Sequence, residues 1–156
     1  MGLVDDSSTY YYLYFPYYPA AELPLWINPA IGRISSPFGY RYSPITGVQE
    51  FHDGVDVAIP ENTPLVAPRY GYVTATGFSE SFGWFLRIAH SDYYESFFAH
   101  LNHVPLAVGD RVEQGDHVAY SGNTGWSTAP HLHFSIFRGG RLVDPLEYFD
   151  FASSGL

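Results

Sequence analysis

Three observations predict an all-β protein built mostly from antiparallel sheets. Short apolar runs recur at a spacing of about ten residues, separated by clusters of Gly, Pro, Asn, Asp and Ser. No window carries a convincing helical repeat. The clearest pattern sets Leu132, Phe134 and Ile136 against His131, His133 and Ser135. That period of two belongs to a strand with two unlike faces.

Composition bounds the possibilities. The chain has 156 residues, enough for one domain with a real core. Hydrophobic residues make up 46% and charged residues 15%, a globular balance. The net charge is −9 with only 7 Lys+Arg, which argues against nucleic acid and against anionic membrane surfaces as partners. With no cysteine, disulfides and thiolate metal sites are excluded. No apolar stretch approaches the roughly 20 residues of a membrane span. Residues 1–6 lack the basic start and long apolar run of a signal peptide. The expectation is a trimmed mature domain, or a protein that leaves its cell by another route.

The chain divides into an N-terminal aromatic arm, residues 1–30, and a β domain, residues 31–156. Tyr10–Pro19 is an aromatic run punctuated by proline, which blocks both a helix interior and a central strand. It reads as an extended arm over the domain surface. Candidate strands follow at Val55–Ile59, Leu65–Ala67, Tyr72–Thr76, Trp84–His90, Glu95–Leu101, His117–Ser121, His131–Phe137 and Arg141–Val143. Asp144-Pro145 stops the last strand, and a short closing segment runs to Phe149.

Four stretches carry the chemistry. In Pro130–Phe137, residues two apart on a strand lie about 6.5–7 Å apart, so His131 and His133 can face one small site. A His-X-His is weak alone in a chain with 7 histidines. It gains weight from Phe51-His52-Asp53-Gly54-Val55-Asp56. There His52 and Asp56 stand an even four residues apart, and Gly54 permits a bend or a close backbone approach. Imidazole and carboxylate suit zinc. Adding one histidine of the pair gives three N/O ligands and an open position, the arrangement of catalytic zinc. Water held there has a pKa near 7. The third stretch, Ser96–Leu101, alternates Phe97, Ala99 and Leu101 with Ser96, Phe98 and His100, placing His100 opposite the aliphatic set. The fourth, Val108–Gly125, is a pair of Gly-containing turns around a short strand that feeds into the His-X-His strand.

In order, the chain reads His-X-Gly-X-Asp, Phe-Ala-His-Leu, Gly-Asp-X-Val-X-X-Gly, and Gly-X-Thr-Gly-X-Ser-Thr-X-Pro-His-Leu-His-Phe. This series resembles the lysostaphin-like, LytM-type zinc endopeptidases over roughly residues 33–149. The resemblance implies the lysostaphin-like fold, a duplicated hybrid motif with an open groove. It also implies hydrolysis of peptide bonds in bacterial peptidoglycan, by a monomer acting outside the cell, in the periplasm or at the wall. The missing signal peptide and the acidic charge would also suit a phage-encoded lysin or virion-associated hydrolase. By position, His52, Asp56 and His133 take the places of the Zn2+ ligands, and His100 and His131 those of the non-ligand catalytic histidines. Some relatives are held latent by an asparagine at the metal, for which Asn28 is the nearest candidate by type. Four features depart from the family pattern: Phe98 where tyrosine is usual, Ala129 for glycine, Ser135 for an acid, and a strand leading to Trp84 that is more aromatic and less glycine-rich than usual. A second reading is an inactive relative serving as a wall-binding or regulatory module. Its kind usually loses ligands, and none is lost here. His90, His103 and His117 match no ligand position and are expected at the surface or in core packing.

Overall fold

The computed structural model describes residues 25–152. Its strands are β1 (Arg33–Ser36), β2 (Gly39–Tyr42), β3 (Gln49–His52), β4 (Val55–Ala58), β5 (Pro64–Val66) and β6 (Gly71–Ser79). They continue with β7 (Gly83–Ala89), β8 (Tyr94–His103), β9 (Arg111–Val112), β10 (His117–Ser121), β11 (Leu132–Arg138) and β12 (Arg141–Val143). Among the described residues the one helical element is a 3-10 turn at Pro145–Glu147, capped by the Asp144 side chain. No helix there is long and apolar enough to cross a membrane. Every strand predicted from sequence is present, with ends shifted by a few residues. The short strands β1, β2, β3 and β9 were not foreseen.

Ten strands form one sheet with the central order β1-β4-β11-β8-β7-β6-β9, and β2-β3 stands apart as a hairpin. All pairings are antiparallel. β11 lies at the centre, between β4 and β8. Leu132, Phe134 and Ile136 on β11 are fully buried, as are Val55 and Val57 on β4 and Phe98 on β8. Phe134 meets Phe98, Phe149 and Phe151 edge-on. Each such side chain contributes about 1.5–3 kcal/mol by leaving water. A one-residue slip would turn the whole set to the other face. The core therefore sets the register, and the register sets the site.

The expected arm lies mostly outside the described residues. Its last six, from Leu25, join the domain. Trp26 packs edge-on against His90, Tyr94, Tyr148 and Phe149, and Ile27 and Ala30 are buried. Asn28 is buried too, and its amide donates to Asp150 Oδ1 at 2.8 Å. This corrects the idea that Asn28 reaches the metal: its side chain is committed to the C-terminal segment.

Candidate metal centre

The β1-β4-β11-β8 ladder aligns Ser36, Asp56, His133 and Ala99 in one row. Asp56 and His133 are thus direct cross-strand neighbours. His52 arrives from the end of β3, two residues before Gly54. A Cβ on Gly54 would stand 2.4 Å from the Phe134 carbonyl oxygen. Only glycine lets the chain pass this close to β11, the close approach expected from sequence.

His52 Nε2, Asp56 Oδ1 and His133 Nδ1 form a triangle. Its edges are 3.2 Å between the imidazoles and 3.1 Å from each imidazole to the carboxylate. All three residues are buried. The proton positions are fixed from behind. His52 Nδ1–H donates to the Pro37 carbonyl at 2.9 Å. His133 Nε2–H donates toward Asp53 Oδ1 at 2.9 Å and Ser135 Oγ at 3.1 Å. Arg41 Nη1 holds the other oxygen of Asp56 at 3.1 Å. With both imidazoles neutral in the tautomers these contacts select, three lone pairs converge on one point.

Burial opposes charge on His133, yet hydrogen bonds to Asp53 and Asp56 outweigh it and push its pKa up to about 9. Burial likewise opposes charge on Asp56, but hydrogen bonds from His133 and His52 hold it well below the usual carboxylate range. The hydrogen bond from His133 lowers Asp53 as well. The centre strongly favours a positive charge, and a divalent cation fits it. Tetrahedral ligands about 2.0 Å from zinc stand roughly 3.3 Å apart, close to these edges.

His131 and His100 flank the triangle. His131 bridges to Gly122 just before β11 begins, and its Nε2 lies 3.6 Å from Asp56 Oδ1. Its Nδ1–H donates to the Ala129 carbonyl at 2.8 Å, with Ser127 Oγ 3.1 Å away. His100 Nδ1–H donates to the Thr124 carbonyl at 2.7 Å. The two rings are 4.9 Å apart. In both, the backbone contact leaves Nε2 with a free lone pair. Burial is the main cause that lowers the His100 pKa to about 4, so this imidazole is neutral at pH 7.

His100 reaches the site by a route that alternation misreads. Phe98 and Leu101 are fully buried in the core, whereas Phe97 packs on Phe82 and Phe85 outside it. The faces expected for 96–99 are therefore reversed. Ala99 and His100 both fall between the Leu86↔Phe98 and Trp84↔Leu101 pairs, a β-bulge, and His100 has φ 61°. Here β8 leaves β11 and joins β10. The bulge brings His100 to the groove and returns Leu101 to the core. The tyrosine hydroxyl missing at Phe98 is consequently no loss to the groove, since that ring faces Phe134.

Around the centre lies an open groove of about 920 Å³. One wall is the β2–β3 hairpin with Tyr42 and Ile45; the other carries Phe82 and Trp126. Sequence reasoning missed Asp53 and Arg41. Asp53 stood in plain view beside His52, a carboxylate adjoining a ligand. Arg41 had no signal, because its contact with Asp56 arises only when the hairpin folds over β4.

The fold and this centre define an antiparallel β-sheet protein of the metallopeptidase type, with a two-histidine, one-aspartate cradle in a groove. Residues 50–145 match the model of Peptidase family M23, and the chain belongs to that family. It is 40% identical over 114 residues to the DD-carboxypeptidase/endopeptidase Mpg of Neisseria meningitidis, covering 73% of this chain and 26% of that protein. The catalytic domain of lysostaphin from Staphylococcus simulans superposes with a TM-score of 0.68 at 30% identity, over 78% of this chain and 93% of that one. A zinc-containing peptidase from Vibrio cholerae gives a TM-score of 0.70 at 31% identity, over 76% and 39%. The chain spans about a quarter of the length of the curated relatives it matches.

Proposed function

We propose that the chain is a zinc endopeptidase that hydrolyses peptide bonds of bacterial peptidoglycan, acting outside the cytoplasm. The observation that carries this is the triangle of converging lone pairs, flanked by two imidazoles whose Nε2 atoms are free. His52, Asp56 and His133 would hold the metal. Bound there, zinc supplies a Lewis acid for the scissile carbonyl and lowers the pKa of water. The chain's own residues do the rest. Asp53, Ser135 and the Pro37 carbonyl fix the tautomers of the ligand histidines. Arg41 restrains Asp56 so that Oδ1 faces the centre.

His131 takes a proton from the attacking water at Nε2 and returns it to the leaving nitrogen. The Ala129 carbonyl steadies the resulting imidazolium. His100, neutral at the outset with its Nδ1–H on the Thr124 carbonyl, accepts a hydrogen bond at Nε2 and so orients the attacking water beside His131. The two walls of the groove hold the peptide extended across the centre. The inactive-relative reading finds no support in a cradle with all three ligands in place.

The test is zinc content beside hydrolysis of purified cell walls, with new termini identified by mass spectrometry. His131→Ala and His100→Ala should be folded and zinc-loaded, yet slower by roughly 10²–10⁴-fold. His133→Ala should be zinc-poor and inactive. Zinc retained in His133→Ala but lost in His131→Ala would reverse the assignment. A zinc-loaded wild type that releases no new termini would defeat the peptidase reading.

A further inference from the structure

We infer that Arg33 is a carboxylate-recognition residue of the groove. It would select a scissile bond whose leaving nitrogen sits on an α-carbon bearing a free carboxylate. The inference rests on the peptidase reading above and names the substrate class for the same groove.

Two arginines line the groove. Arg41 is fully engaged: Nε pairs with Glu50 at 2.8 Å, and Nη1 meets Asp56 at 3.1 Å and Ser36 at 2.9 Å. Arg33 is exposed, and no hydrogen bond or ion pair holds it among the described residues. Arg138 and Arg141 likewise have no ion pair among the described residues, but neither lines the groove. Arg69, Arg87 and Arg111 are each paired with an acid. An un-neutralised guanidinium in the cleft of so acidic a protein leaves a positive spot facing the bound peptide.

Its placement is set by register. Arg33 on β1 stands opposite Ala58 on β4. Ala58 is two residues beyond Asp56, one strand repeat of about 6.5–7 Å, and both line the groove. The side chain at Ala58 is only a methyl, so it is no barrier between the arginine and the metal centre. The carboxylate in question lies within one residue of the scissile carbonyl, about 3.8 Å of chain. A long, flexible arginine rooted one repeat from Asp56 spans the remainder. Its planar fork matches a carboxylate with two parallel hydrogen bonds. A carboxyl-terminal or directly cross-linked stem-peptide bond presents a carboxylate at that point. A glycyl bond within a cross-bridge presents none.

Two synthetic stem peptides test this, identical except that the carboxylate is free in one and a primary amide in the other. Zinc-loaded wild-type chain should favour the acid by about 10- to 100-fold in kcat/KM, the worth of one charge-assisted contact. The preference should lie in KM. Arg33→Gln should bring the acid-to-amide ratio near one, and Arg33→Lys should keep part of it. Zinc content and urea unfolding, measured alongside, separate recognition from damage to the fold. Equal use of acid and amide by the wild type would overturn the inference, as would a ratio that survives Arg33→Gln. Cleavage of neither peptide while whole walls yield new glycyl termini also overturns it and leaves the peptidase reading standing. No new termini from either source removes both.

Discussion

Gly54→Ala should damage the metal centre without touching a ligand. The added Cβ would stand 2.4 Å from the Phe134 carbonyl oxygen and 2.6 Å from Ser135 Oγ. Ordinary non-bonded contacts begin near 3.5 Å, so β4 and β11 must part by roughly 1 Å. The obstructing atom is backbone, and turning Ser135 aside would release His133 Nε2. The ligand triangle has edges of 3.1–3.2 Å, and Asp56 and His133 sit on the two strands being separated. Metal–ligand lengths tolerate only about 0.2 Å, so a displacement of this size disrupts the set. We expect zinc affinity to fall by about 10²-fold or more, hydrolysis by at least about 10²-fold, and stability by about 1–3 kcal/mol. Competition with a chromophoric chelator reads the affinity, and urea unfolding of the metal-free protein reads the stability. Gly109→Ala is the control: φ is 96° there but nothing lies within 4 Å, so it should strain a turn and spare the site. A Gly54→Ala protein with wild-type zinc affinity and activity would refute the close-approach reasoning.

Two further outcomes follow from groups behind the site and within the core. Asp53→Asn should weaken zinc binding by about 10- to 100-fold through loss of the carboxylate on His133 Nε2, with Asp53→Ala/Ser135→Glu recovering part of it in the same chelator competition. His90 is buried, donates to the Tyr70 carbonyl and accepts from Ser96, and burial lowers its pKa to about 4, with Arg69 lowering it further and Glu95 opposing. Because the folded value is depressed, the stability it confers is full above the unfolded value of 6.5 and is lost as pH falls toward 4. Urea unfolding at pH 7.5 and 5 should therefore show about 2 kcal/mol more acid sensitivity in wild type than in His90→Gln. Equal pH slopes for the two proteins would show that His90 is not held neutral.

The β class, eight of the strands, and four of the five side chains at the centre (His52, Asp56, His131 and His133) could be read from local sequence; His100 came from the family resemblance. This was possible because those signals are local. Alternation along 132–136 follows from the pleat, and His52, Gly54 and Asp56 stand within one short stretch whose spacing limits where ligands can point. The expectation at Gly54 also held for a local reason, since only the smallest residue admits so close a neighbour. Tertiary structure decided the rest. His100 reaches the groove through a bulge with a left-handed residue, where β8 changes partner from β11 to β10; no pattern within Ser96–Leu101 reveals that switch, so simple alternation put Phe98 on the wrong face. Asn28 bonds across 122 positions to Asp150, a contact only the packed core creates. Asp53, Arg41 and the Pro37 and Thr124 carbonyls acquire their roles from distant partners that fix which ring nitrogen carries each proton. Residue type states what a side chain can do, and the long-range register of four strands decides which lone pairs meet.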